Sequence, residues 1–295
     1  MTSPSSGPRT AWRALVLVTA TLCLAVVVVS SMTRAAHTPA ARDGSRPAPG
    51  PAAADAVAEP PTWENVFYDG FDGPAGAPPD QWHAMPNSNG AAQNGQGQLD
   101  VGRLAQVRTN TGWILPAGTQ VRVSASLVMP DTGSNYAAFW VQHPNGVDPR
   151  EIDVIESYGP LKLAGAQLGS HICYDEMVGV GADACEVSGL PPELWPVSQA
   201  FSPGAEPWSA YWQYSADFTI GGDTVVFAAS DSQGNRTYDF PSLPDTRRVP
   251  GNAAPFHLRL SNKDVEPQNA VAGGQRYSML VDWVSVEVKY PSAAG

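Results

Sequence analysis

The chain has 295 residues, a formal net charge of -11 and only 15% charged residues, with 28 glycines and 28 prolines. An acidic chain without a run of Lys and Arg repels nucleic-acid phosphates and anionic lipid headgroups alike, which excludes nucleic acid as a partner. Plentiful turn formers and few charges leave little room for long solvated helices, and suit one β-rich globular domain with tails or linkers.

Residues 1–13 are polar and carry Arg9 and Arg13. An uncharged apolar run from Ala14 to Val29 follows, extended to Met32. Its length lies between a signal-peptide core and a membrane-spanning helix, so residues 14–32 read as either signal peptide or transmembrane anchor. Small residues at Ala35 and Ala36 suit cleavage. The upstream arginines favour a cytoplasmic N-terminus, and either reading exports the rest of the chain to the cell surface or beyond it. Residues 33–61 are rich in Ala and Pro without hydrophobic periodicity and read as a semi-stiff spacer.

From residue 62 to 290 short strand patterns alternate with turn residues. Val121 to Val128 (VRVSASLV) alternates apolar and polar, as a half-buried strand should. Tyr136 to Gln142, Glu151 to Ser157, Thr224 to Ala229, Phe256 to Leu260 and Leu280 to Val288 continue the series, with no long amphipathic helix among them. Many short strands at regular spacing predict an all-β fold, a sandwich of two antiparallel sheets. Cys173 and Cys185 fall in the exported part, where an oxidising compartment favours their pairing. Closing so short a loop contributes about 2–3 kcal/mol. Cys23 lies inside the apolar run, and its surroundings do not make a lipoprotein signal.

The segment Glu151-Ile152-Asp153-Val154-Ile155-Glu156 places three carboxylates within six residues. On a strand, Glu151 and Asp153 share a face, whereas regular alternation sends Glu156 to the other. One extra residue, a β-bulge at Val154-Ile155, returns it to the first face. Three acids aligned on one face repel one another, a cost accepted chiefly where proton transfer or metal binding needs it. An edge strand with solvated acids is the structural alternative, and an isolated match of this kind recurs by chance.

The E-x-D-x-x-E pattern resembles the catalytic motif of glycoside hydrolase family 16, in the bulged form of its laminarinase-like members. The likeness extends through Phe67-Tyr68-Asp69-Gly70-Phe71-Asp72-Gly73 with Trp82, through Asn94 to Leu99, through Leu115 to Trp140, and to Leu280-Val281-Asp282-Trp283-Val284-Ser285-Val286. The resemblance implies a jelly-roll, concanavalin A-like sandwich whose concave face binds a sugar chain. It implies Glu151 as nucleophile, Glu156 as general acid/base and Asp153 as the residue between them that sets the nucleophile's charge state. It also implies retention of anomeric configuration, for which the glutamate carboxyls must lie about 5–5.5 Å apart.

By the same resemblance His171 faces the cleft, Trp140 stacks on a sugar ring, Trp195 joins an outer subsite and Asn262 lies near the cleft, each with an ordinary structural role as the alternative. Trp208 and Tyr211 are further candidates for outer subsites. Departures from the family pattern fall at Pro149, where a tryptophan is usual, and at Phe218, and are expected to alter sugar subsites rather than the acids. No cofactor is implied; a structural calcium at Asp69, Asp72 or Asp282 stays open. The expected activity is endo-hydrolysis of a β-linked polysaccharide, β-1,3-glucan first, by a monomer. A transglycosylase remodelling wall glucan and a non-catalytic polysaccharide-binding module remain the alternatives. No G-x-S-x-G elbow, H-E-x-x-H or C-x-x-C pattern offers another chemistry.

Overall fold

The structure, a computed structural model, describes residues 62–132, 135–143, 150–157, 168–174, 197–201, 206–242, 244, 249–264 and 276–292. The apolar run, the Pro-rich spacer, Trp195 and Cys185 lie outside these residues, so the expected N-terminal helix and the disulfide do too. No helix among the described residues is long and apolar enough to cross a membrane.

The described strands are β1 (Glu64–Asp69), β2 (Trp82–Ala84), β3 (Ala92–Gln93), β4 (Leu99–Val101), β5 (Ala105–Thr109), β6 (Gln120–Val128), β7 (Asn135–Gln142) and β8 (Arg150–Ser157). They continue with β9 (Leu168–Tyr174), β10 (Val197–Phe201), β11 (Trp212–Thr219), β12 (Val225–Asp231), β13 (Thr237–Pro241), β14 (His257–Asp264) and β15 (Met279–Lys289). Every strand expected from alternation is present, each running one to four residues past the expected run at one end or both, while β12 starts one residue after Thr224 and β14 one after Phe256. The short edge strands β2 to β4 carry too few residues to show a period.

Two antiparallel sheets result. One runs β13-β12-β11-β6-β15-β4-β3, with β1 also on β15; the other runs β10-β9-β8-β7-β14-β5-β2. The alternation that predicted β6 decides which side chains meet between the sheets. Val121, Val123, Ala125 and Leu127 are fully buried there, while Arg122, Ser124 and Ser126 face away from that core. Phe139 on β7, Ile152 and Ile155 on β8, and Leu258 and Leu260 on β14 meet them from the second sheet. Each such side chain contributes about 1.5–3 kcal/mol through removal from water. Phe218, expected to alter a sugar subsite, is instead a core residue of β11. It packs edge-on against Phe256 at 5.9 Å, because its position in the strand alternation points between the sheets. Trp208 is likewise buried, donating from Nε1 to Ser157 Oγ at 3.2 Å, so it forms core rather than subsite.

Three strands break the two-residue alternation. β1 shifts register between Asn65 and Phe67, β15 between Val281 and Trp283, and β8 between Asp153 and Glu156. Each break re-aims the side chains beyond it.

Candidate active site

The site grows from the break in β8. On one side β8 pairs Asp153 with Trp140 and Ile155 with Phe139; on the other it pairs Asp153 with His171 and Glu156 with Gly169. Val154 is therefore the extra residue opposite β7. Its carbonyl, displaced from the regular ladder, accepts the Ser170 hydroxyl at 2.7 Å. A buried carbonyl left unmet would cost about 1–3 kcal/mol, so Ser170 stabilises the irregularity that the sequence pattern demands.

Beyond the bulge, Glu156 returns to the face of Glu151 and Asp153. All three border one cavity of about 350 Å³, together with Tyr136, Trp140, Gln142 and Arg259. The three acids are 8%, 3% and 6% exposed respectively, so their charges are only weakly screened by water. Each is provided for. Gln142 donates from Nε2 to Glu151 Oε2 at 2.7 Å, and His171 Nε2 lies 2.9 Å from Glu156 Oε2. The Tyr136 hydroxyl donates to Glu156 Oε1.

Strand register orders the residues that cross the cavity at Asp153, Trp140 and Arg259 and continue beyond it. Through Asp153 a single cross-strand row runs His171, Asp153, Trp140, Arg259, Arg108 and His83. Arg259 stands 4.6 Å above the Trp140 ring, and Trp140 donates from Nε1 to Ser261 Oγ at 3.2 Å. Burial pushes the Arg259 guanidinium down to about 10; the negative Glu151 pulls it upward, and Arg108 pushes it lower. A buried cation beside Glu151 offsets part of the repulsion within the acid triplet.

The sequence candidates separate accordingly. Glu151, Asp153, Glu156 and Trp140 border the cavity, and His171 joins them through Glu156. Asn262 does not. It lies on the core side of β14, fully buried, and donates from Nδ2 to the carbonyls of Val101 and Tyr277 at 2.9 and 2.6 Å while accepting from Asn135. Its residue number has the parity of the core residues Leu258 and Leu260, whereas Arg259, Ser261 and Lys263 face the cavity. Sequence reasoning passed over Gln142, Tyr136, Ser170 and Arg259. Gln142 and Tyr136 share the parity of Trp140, and that signal was available. Asp69, considered for calcium, accepts from Phe71 N at 2.9 Å and from Trp82 Nε1 at 3.0 Å, a turn-fixing role. Among the described residues no group of three His, Cys, Asp or Glu is placed to hold a metal ion.

No family profile and no curated protein sequence matches the chain. Solved structures do. The chain is similar to an endo-β-1,3-glucanase from Pyrococcus furiosus, at 14% identity and a TM-score of 0.55, covering 78% of this chain and 96% of that one. It is similar to a laminarinase from Rhodothermus marinus, at 18% identity and a TM-score of 0.51, covering 78% and 99%. A porphyranase from Zobellia galactanivorans is matched at 13% identity and a TM-score of 0.55, covering 77% and 94%. The fold is thus the sandwich of laminarinases and β-1,3-glucanases, as the resemblance read from the sequence implied. Such distant similarity carries the fold and leaves chemistry to the residues.

Proposed function

We propose that the chain is a retaining endo-glycoside hydrolase that cleaves a β-linked polysaccharide, with β-1,3-glucan as the first polymer to test, and that it acts outside the cytoplasm. The observation that carries this reading is the β8 bulge, which lines up Glu151, Asp153 and Glu156 along one cavity.

Retention needs one carboxylate to attack the anomeric carbon and a second to protonate the leaving oxygen. Glu151 suits attack. Its Oε2 accepts a hydrogen bond from Gln142, and the positive Arg259 favours its ionised form. Glu156 suits proton transfer, since Tyr136 and His171 hold both of its oxygens in place. The mechanism requires one carboxyl ionised to attack and the other protonated to donate. Asp153 lies between them on the same face. Attack by Glu151 forms the glycosyl–enzyme ester and expels the leaving oxygen, which takes the Glu156 proton. Water deprotonated by Glu156 then attacks the anomeric carbon, and the bond from that carbon to Glu151 breaks to free the carboxylate.

Reducing-end release from laminarin, mixed-linkage glucan and agarose tests the reading, beside Glu151→Gln and Glu156→Gln. Release that both substitutions abolish is the expected result. Release unaffected by Glu151→Gln would sink the assignment.

A further inference from the structure

The outer face of the other sheet carries a second recess of about 470 Å³, on the side of the sandwich away from the acids. Strand register gives its floor: Tyr68, Ser285, Ser124, Ser215, Ala228 and Asp239 lie opposite one another across β1, β15, β6, β11, β12 and β13. That row is nearly all small or hydroxyl-bearing, and so forms a shallow polar trough.

Aromatic rings stand at the β1 end of the trough. Tyr68 is 57% exposed and stacks on Trp283 with centroids 6.5 Å apart and planes 23° from parallel. Trp63, also exposed, lies against Arg122, whose Cζ is 4.8 Å from the ring centroid. These rings are not displaced core residues. Val284, Val286 and Val288 fill the core side of β15, and the register break at Asp282 turns Trp283 outward. Polar and neutral features dominate the rest. Arg122 and Asp217 neutralise each other through bonds of 2.8 and 2.5 Å, and the other charges bordering the trough are the acids Asp239 and Glu287.

From these features we infer that the outer face is a second, non-catalytic binding site for a neutral β-linked polysaccharide. The flat Tyr68–Trp283 pair accepts the apolar face of a pyranose, and the serine floor supplies hydroxyl partners along the chain. The acids exclude anionic polymers and anionic lipid, and the exposed apolar groups are separated, the Tyr68–Trp283 pair at one end and Val226 on β12 at the other, unlike the broad apolar core of a protein interface. The choice of a polysaccharide rests on the function proposed above; the trough itself does not.

The test uses the full chain with Glu151→Gln, so that polymer is not consumed, and measures retention on insoluble β-1,3-glucan, cellulose, xylan and chitin. Retention by at least one polymer is expected, weakened about tenfold by Tyr68→Ala and kept by Tyr68→Phe, which preserves the ring. Tyr68→Ala in the Glu151 parent is expected to leave hydrolysis of a short soluble oligosaccharide unchanged. Retention indifferent to Tyr68→Ala, or absent on all four polymers, overturns the inference. A parent chain that hydrolyses nothing counts against the proposed function alone, because retention is read on the Glu151→Gln chain.

Discussion

The two sheets use one device for different ends. In β8 an extra residue brings Glu156 beside Glu151 and Asp153; in β15 a break at Asp282 turns Trp283 outward beside Tyr68. In the cavity the re-aimed groups are acids at most 8% exposed, with His171, Tyr136 and Gln142 bonded to them. On the outer face they are uncharged rings open to water. A bulge therefore decides only where a side chain points. Burial and neighbours decide what it can do there, since enclosure strengthens charge interactions and exposure favours stacking.

The strongest way to sharpen this contrast is to disable one face and watch the other. Glu151→Gln is expected to lower turnover by on the order of 10⁴-fold or more while leaving retention on insoluble polymer intact, as measured by reducing-end assay and sedimentation. Glu156→Gln removes the proton donor while leaving the bulge in place. Turnover should then fall by about 10²–10⁴-fold, with the far-ultraviolet spectrum still that of a β protein. Gln142→Ala removes the donor to Glu151 and is expected to cost about tenfold in kcat with little change in KM, read from initial rates.

The smallest effect concerns stability. His257 sits on β14 opposite Gln142, with Nδ1 3.0 Å from the Thr109 carbonyl. Burial holds its imidazole below the ordinary value, the Thr109 carbonyl acts in the opposite direction, and Arg108, Arg259 and His83 lower it further. The unfolded chain thus binds a proton near pH 6.5 that the folded chain refuses, so stability falls as pH drops below about 6.5. His257→Gln should flatten that part of the pH–stability curve in denaturant titrations. An unchanged slope would assign the acid sensitivity to other groups.

Much of this was legible from residue order. Alternation in VRVSASLV marks β6, and the odd spacing of Glu151 and Glu156 requires a bulge before any coordinates are seen. What stayed hidden depends on partners distant in the chain. Ser170 looks like an ordinary strand serine until β9 lies against β8. Arg259 and Arg108 sit 151 positions apart in the sequence and meet only through pairing of β14 with β5. Asn262 was misplaced because a resemblance in chain position does not say which face of the strand the residue occupies, and here three backbone and side-chain partners satisfy it inside. Phe218 shows the converse, since a change of residue type says nothing about which face it occupies. The outer trough escaped notice because serines on a strand face look merely solvated.

The central claim is that the β8 bulge builds a retaining pair from Glu151 and Glu156. The most direct measurement is the anomeric form of the first product, followed by proton NMR during cleavage of a β-linked oligosaccharide. The account predicts that the β-anomer appears first and mutarotates afterwards. First appearance of the α-anomer would contradict it, because inversion needs a wider carboxyl separation, about 6.5–9.5 Å, and no covalent intermediate on Glu151.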